Sequence, residues 1–205
     1  MNRMPFYSSS FLICYRIDNR YGGKYLCPLS LYMGINMERI DRILQNEAFK
    51  EHVKKNRLAE VDRIFCKHDL QHFLDVARIA MVINLEKNLG VDRELIYAAA
   101  LLHDLGRHEQ YENGTPHEEA GARIARKIME ECGFEEAQII EVVDAIADHR
   151  GKKGTEVKGT VKGTVKGTVK ELLYTADKAS RACFACSAKD LCNWSDEKKN
   201  LQIKY

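Results

Sequence analysis

The segment "AAALLHDLGR", residues 98–107, restricts the fold more than any other part of the chain. Ala and Leu are strong helix formers. An apolar helix of this kind belongs in a core, yet it runs into an imidazole and a carboxylate, His103 and Asp104. Ile96, Ala100 and His103 follow i, i+4, i+7 spacing, so His103 falls on the buried stripe. The placement recurs elsewhere. His72 is in line with Val76, Ile79 and Ile83, and His117 with Gly121, Ile124 and Ile128. His149 is in line with Val142 and Ile146, and Asp177 lies one turn after Leu173. A buried charge is costly unless it is paired or bound to metal. Five helices that each point such a group inward therefore imply a bundle built around one divalent metal ion or two, as facing helices commonly provide.

The remaining sequence suits an all-α fold. With only three prolines, helical periodicity dominates from Met37 onward. "MERIDRILQNEAF" reads as the first amphipathic helix, and a long helix is expected from about Leu58 to Asn88, with a break near His68 and a stop at Gly90. Asp92 is the expected N-cap of a helix ending at Gly106. "TPHEE" predicts a capping box, with Thr115 as N-cap, Pro116 at N1 and Glu118 at N3, and Gly133 as the stop. Further helices are expected over about Glu135–Arg150 and Val169–Cys183.

Two segments stand apart. Residues 1–36 hold five of the nine tyrosines, lack a sustained period and carry a net +3, which leaves residues 37–205 at −1 when taken from the total of +2. Met37 is the expected natural start, with residues 1–36 a translated leader or a mispredicted extension. Residues 151–170 contain "GTEVKGTVKGTVKGTVK", a tandem repeat with six lysines and one acid in the segment. It reads as a solvated loop expanded by duplication or as a basic flap. The balanced charge gives no global footprint for nucleic acid, and no run reaches the roughly 18 apolar residues of a membrane span. Seven cysteines without a secretory signal point to reduced thiols in a cytoplasm.

The order His72, His103-Asp104, His117, His149, Asp177 resembles the HD-domain superfamily of metal-dependent phosphohydrolases. The strings "HDLQHFLDVARIA", "ALLHDLGR", "HEEAGARIA", "AIADHR" and "LLYTADKASR" carry the likeness over about residues 57–182. It implies an HD-domain helical bundle over residues 37–182, followed by a cysteine-containing tail, 183–205. His68-Asp69 is a second His-Asp pair, but the first ligand of the family matches His72. The resemblance makes His72, His103, Asp104 and Asp177 the ligands of a single-metal site. By the same resemblance His117 and His149 match the extra histidines of two-metal members, with Asp104 as the candidate bridge. Such ligands suit iron, manganese, cobalt or zinc without choosing among them.

Substrate contacts are expected outside the metal ligands. Arg107 is the first choice for a phosphate contact and, with Asp104 and Lys178, for a catalytic role; Arg150, Lys178 and Arg181 are further substrate-binding candidates, and Asp148 is an outer acid–base candidate or an exposed helix-end acid. "CFACSAKDLCNW" places Cys183, Cys186 and Cys192 as C-x2-C-x5-C. They are either part of a second metal cluster completed by Cys66 or His68, or reduced core thiols in a continuing helix. The expected activity is hydrolysis of a nucleotide or other small phosphorylated compound. The alternatives are cleavage of a nucleotide anhydride such as a dinucleoside polyphosphate, and a non-catalytic module that senses a metal or nucleotide.

Overall fold

The apolar run before His103-Asp104 becomes the axis of the fold. The computed structural model describes residues 37–150 and 167–205. The extension 1–36 and residues 151–166 of the repeat lie outside the described residues. The helices are α1 (Glu38–Gln45), α2 (Glu47–Ala59), α3 (Leu70–Glu86), α4 (Arg93–Leu102), α5 (Arg107–Asn113), α6 (His117–Glu131), α7 (Glu136–Asp148) and α8 (Val169–Ala179). Two 3-10 turns follow, Cys183–Ala185 and Lys189–Leu191, and no strand occurs among the described residues. Helix α4 packs against α1, α3, α6, α7 and α8. Its Leu95, Ile96 and every residue from Ala98 to Leu102 are buried. Three consecutive alanines leave room for neighbours on all sides. Around them the core is filled by Phe73, Val76 and Ile83 of α3, Ile128 and Met129 of α6, Val142 and Ile146 of α7, and Leu172 and Leu173 of α8.

Local side-chain chemistry moves several boundaries from their expected places. Asn46 accepts a hydrogen bond from the Phe49 amide at 3.1 Å and divides the first amphipathic run into α1 and α2. Of the long helix expected from Leu58 to Asn88, the part beyond the break near His68 forms, as Leu70–Glu86, whereas most of the part before it does not. The chain leaves the helix after Ala59, and Asp69 starts α3 by accepting from the His72 amide at 3.0 Å. Asp92 caps α4 as expected, accepting from Leu95 N at 3.1 Å. The Thr115–Glu118 capping box is absent. Thr115 Oγ donates to Asn113 Oδ1 at 2.7 Å, Pro116 takes the N-cap position, and Glu118 is buried beside His117. At α8 a capping box does form, between Thr168 and Glu171, so the last unit of the repeat becomes a helix start. Helix α8 ends at Ala179, short of the expected Cys183. Asn200 Nδ2 donates to the carbonyls of Lys178, Ala179 and Arg181 at 2.7, 3.2 and 3.0 Å, so the C-terminal tail satisfies the helix end.

Helix α4 ends at Leu102 rather than Gly106, and α5 opens directly after the turn that carries His103 and Asp104. Asn56 of α2, fully buried, fastens this turn. Its Nδ2 donates to Asp104 O at 2.8 Å, and its Oδ1 accepts from His108 N at 2.9 Å. The turn also lies against α6 with no room for a side chain. A Cβ on Gly106 would come within 2.5 Å of Gly121 N and 2.6 Å of His117 O, and a Cβ on Gly121 within 2.8 Å of His103 O. These neighbours are backbone and do not swing aside. Gly121→Ala is expected to destabilise the protein by about 1–3 kcal/mol, the usual cost of overpacking, and Gly106→Ala by at least as much. Urea denaturation of each variant measures this, and wild-type midpoints would refute the close-packing argument.

Candidate metal centre

Six side chains, carried by five helices and the α4–α5 turn, converge. His72 comes from the first turn of α3, His103 from the C-cap of α4 and Asp104 from the turn itself. His117 is the first residue of α6, His149 the C-cap of α7, and Asp177 lies in the last turn of α8. All are at most 8% exposed. Their donor atoms fall into two groups, each with members within 4.8 Å of one another: His72, His103, Asp104 and Asp177, then Asp104, His117 and His149. Asp104 belongs to both. Its Oδ2 lies 3.2 Å from His103 Nε2 and 3.8 Å from His72 Nε2, and its Oδ1 lies 3.3 Å from His117 Nε2 and 3.7 Å from His149 Nε2. Asp177 Oδ1 completes the first group at 3.5 Å from His72 Nε2 and 3.9 Å from His103 Nε2.

Each imidazole is anchored from behind. His103 Nδ1 donates to Ala100 O at 2.8 Å and His149 Nδ1 to Ile146 O at 2.6 Å. His117 Nδ1 meets Gln110 Oε1 at 2.6 Å, and His72 Nδ1 meets Ser180 Oγ at 3.3 Å. A carbonyl only accepts, and the Ser180 hydroxyl donates its own proton to Asp177 O at 2.8 Å, so these partners hold the proton on Nδ1 and leave the Nε2 lone pair facing inward. The inward atoms are then short of partners: His72 Nε2, His103 Nε2 and Asp104 Oδ2 are buried without a hydrogen bond. Imidazole nitrogens and carboxylate oxygens facing one another across such a gap call for a cation. Donors about 2.0–2.2 Å from one ion stand about 3–4.4 Å apart, which these separations match. The cluster is capable of holding a divalent metal.

The electrostatics express the same demand. Although burial opposes ionisation, His103 and Arg107 hold the Asp104 carboxyl well below the usual range, and Arg181 and His72 do so for Asp177. Burial works against a proton on His103 too, yet Asp104 and Asp177 raise its pKa. Burial pushes His72 down to about 4 and His117 to about 3. Both are therefore neutral at physiological pH and free to act as ligands.

Cations surround the carboxylates. Arg107 Nε is 3.1 Å from Asp104 Oδ1, Lys178 Nζ 2.7 Å from Asp177 Oδ2 and Arg181 Nη2 2.7 Å from Asp177 Oδ1. Arg181 is 8% exposed, whereas the side chains of Arg107, Lys178 and Arg150 are 19%, 37% and 55% exposed. Arg150 lies 3.6 Å from the buried Glu118, and Asp148 pairs with Lys170. The cysteines are not drawn into a cluster. Cys183 is buried, Cys186, Cys192 and Cys66 are half-buried, and all four are free thiols. No group of three converging donors among the described residues includes them. His68, the other proposed fourth ligand, bonds Glu60 through Nδ1 at 2.6 Å.

The sequence pattern passed over several contributors. Helix α5 supplies Gln110, Asn56 holds the turn, and His68 comes within 3.8 Å of Asp104 Oδ2 through Nε2. Ser180 carried a signal, one turn after Asp177, and His68 stood out as half of a second His-Asp pair.

Stability of the metal-free protein is expected to fall as pH drops. Unfolded imidazoles protonate near pH 6.5, whereas His72 and His117, and His52 away from the cluster, do so only near 4, 3 and 4. Between those values the unfolded chain binds more protons, so this contribution is complete above about pH 6.5 and lost toward 4. His103 opposes it with a single raised group. Thermal denaturation in chelator across this range measures the effect; a melting temperature that rises on acidification would contradict it.

Comparison with known proteins places this geometry in a family. The family model described as HD domain matches residues 69–194. An uncharacterized protein of Clostridium beijerinckii is 44% identical over 169 residues, covering 82% of this chain and all of that protein. A deoxyguanosinetriphosphate triphosphohydrolase-like protein of Geobacter metallireducens is 34% identical over 117 residues, 53% of this chain but 26% of its own length. Ribonuclease Y of Acetivibrio thermocellus is 42% identical over 82 residues, 40% of this chain and only 14% of the enzyme. The crystal structure of a predicted HD superfamily hydrolase from an uncultured Thermotogales bacterium shares the fold, with TM-score 0.50 and 24% identity over 74% of this chain and 81% of that one. With the family model matching more than half of its length, the chain belongs to the HD-domain family.

Proposed function

We propose that this protein is a metal-dependent phosphohydrolase acting on a nucleotide or other small phosphorylated compound. The observation that carries the reading is the pair of donor groups sharing Asp104. His72, His103, Asp104 and Asp177 would hold one divalent ion, and Asp104, His117 and His149 a second. When bound, such ions supply positive charge for phosphoryl oxygens and lower the pKa of an attacking water.

The chain's own residues do the rest. Arg107, Lys178 and Arg150 are exposed enough to meet the anionic oxygens of a substrate, and the first two already rest on the ligand carboxylates. Arg181 is too buried for that role and positions Asp177 instead. Burial of the cluster removes competing water and strengthens each electrostatic contact. The likeness to the triphosphohydrolase-like protein supports a nucleotide, and with it cleavage of an anhydride bond in a phosphate chain. The complete set of donors speaks against a non-catalytic sensing module. No described helix is long and apolar enough to cross a membrane. The net charge of −1 over residues 37–205 offers little to a nucleic-acid backbone.

Metal analysis of protein purified without chelator is expected to find about two first-row ions per chain. His117→Ala/His149→Ala is expected to keep about one, and Asp104→Ala none. Asp104→Ala should lose more activity on a panel of nucleotides and phosphate esters than the roughly 10–100-fold that follows loss of an outer partner. Gln110→Leu, which removes such a partner from His117, should weaken metal binding by that smaller factor. A protein that stays metal-free when offered iron, manganese, cobalt and zinc, or an Asp104→Ala variant with wild-type turnover, would sink the reading.

A further inference from the structure

Beside the metal centre lies a second polar unit that none of the six ligands uses. Glu60 is 2% exposed and His68 3% exposed, both in the segment between α2 and α3. The Glu60 carboxylate is fully engaged. Its Oε1 accepts from His68 Nδ1 at 2.6 Å and from the Tyr111 hydroxyl at 2.8 Å, and its Oε2 accepts from the His68 backbone amide at 2.7 Å. Arg63 Nε stands 3.8 Å from Oε1. Despite burial, which acts the other way, the bonds from His68 hold this carboxyl down to about 2. An ionised carboxylate only accepts, so the proton of His68 is kept on Nδ1. Nε2 then presents a lone pair, and it faces Asp104 Oδ2 at 3.8 Å, beyond hydrogen-bond reach. Asp104 Oδ2 is itself buried without a hydrogen bond. Two acceptors thus face one another across a gap with no donor between them. A water molecule seated beside that 3.8 Å gap, against the metal centre, is a donor able to reach both acceptors.

We propose that His68 orients the attacking water, accepting its hydrogen bond through Nε2, and that Glu60 is the positioning residue that keeps the Nε2 lone pair turned toward the site. The inference rests on the hydrolase reading above. His68 is not needed as a ligand, since both donor groups are complete without it. Tyr111 and the His68 amide brace Glu60 from two sides, so the imidazole has one orientation. A water held in line gains rate through orientation, where a misplacement of about 1 Å costs about 10²-fold.

Glu60→Gln tests the tautomer directly. The amide carbonyl must serve the His68 backbone N–H, which leaves the NH₂ group against Nδ1 and drives the ring proton to Nε2. Nitrogen-15 NMR of imidazole-labelled, metal-free full-length protein is expected to show Nδ1–H for His68 in the wild type and Nε2–H in Glu60→Gln. In the metal-loaded full chain, assayed on bis(p-nitrophenyl) phosphate and a panel of nucleotides, His68→Leu and Glu60→Gln should each lower kcat about 10²-fold. KM and metal content should change little. The double variant should lose no more than either single one, because both remove one unit. His68→Gln places an amide oxygen near the Nε2 position and should recover part of the rate. An Nε2–H tautomer in the wild type, wild-type kcat in His68→Leu, or loss of metal from that variant would each overturn the proposal. A fully loaded wild type that hydrolyses nothing in the panel would overturn the hydrolase reading and this inference with it; an active wild type beside an equally active His68→Leu overturns this inference alone.

Discussion

Two carboxylates that stay ionised inside the bundle organise this molecule. Asp104 and Asp177 are 1% and 5% exposed, far from where a lone carboxylate is stable. Guanidinium and ammonium groups of Arg107, Lys178 and Arg181 approach them from the outside, and four imidazoles from the inside. The imidazoles are turned so that their lone pairs converge. This arrangement is incomplete without further positive charge at its centre. Asp104 and Asp177 answer part of the demand by raising the pKa of His103, against the effect of its burial.

The backbone serves this constraint by ending helices at the cluster. His103 and His149 are C-caps, His117 opens its helix, and Asp177 closes one. A side chain at a helix terminus reaches a shared centre without the helix axes having to cross there. His103 and His149 bond the carbonyl three residues back, at Ala100 and Ile146, so a group already present at the helix end fixes the tautomer. The glycine contacts between the α4–α5 turn and α6 set the separation of the two donor groups, because backbone rather than side chain forms the spacer.

Periodicity made much of this legible. Inward placement of His72, His103, His117, His149 and Asp177 follows from their spacing against apolar residues on the same helix, and those side chains do converge. The same reasoning failed where a polar side chain competes with the helix backbone. Asn46 and Asp69 are caps inside runs that look continuous. Thr115 bonds Asn113 instead of capping, because Glu118 turns inward toward His117. The short α5 has too little apolar pattern to register, and Gln110 was lost with it. His68-Asp69 looked like a redundant copy of the His-Asp pair. Its two residues have separate tasks: Asp69 caps α3, and His68 sits beside Asp104.

The sequence by itself determined the all-α class, the buried axis of α4 and the set of inward ligand-type residues. Each of these depends on local spacing along one helix, and spacing survives without knowledge of neighbours. Only the tertiary structure decided which oxygen of Asp104 faces which pair of histidines, that Arg181 is buried against Asp177, and that Glu60 and His68 join the cluster's edge. The thiols of the C-terminal tail, close in sequence, stay apart from any shared centre among the described residues. Those outcomes depend on distances between elements far apart in the chain, set by how close alanine and glycine let the helices come.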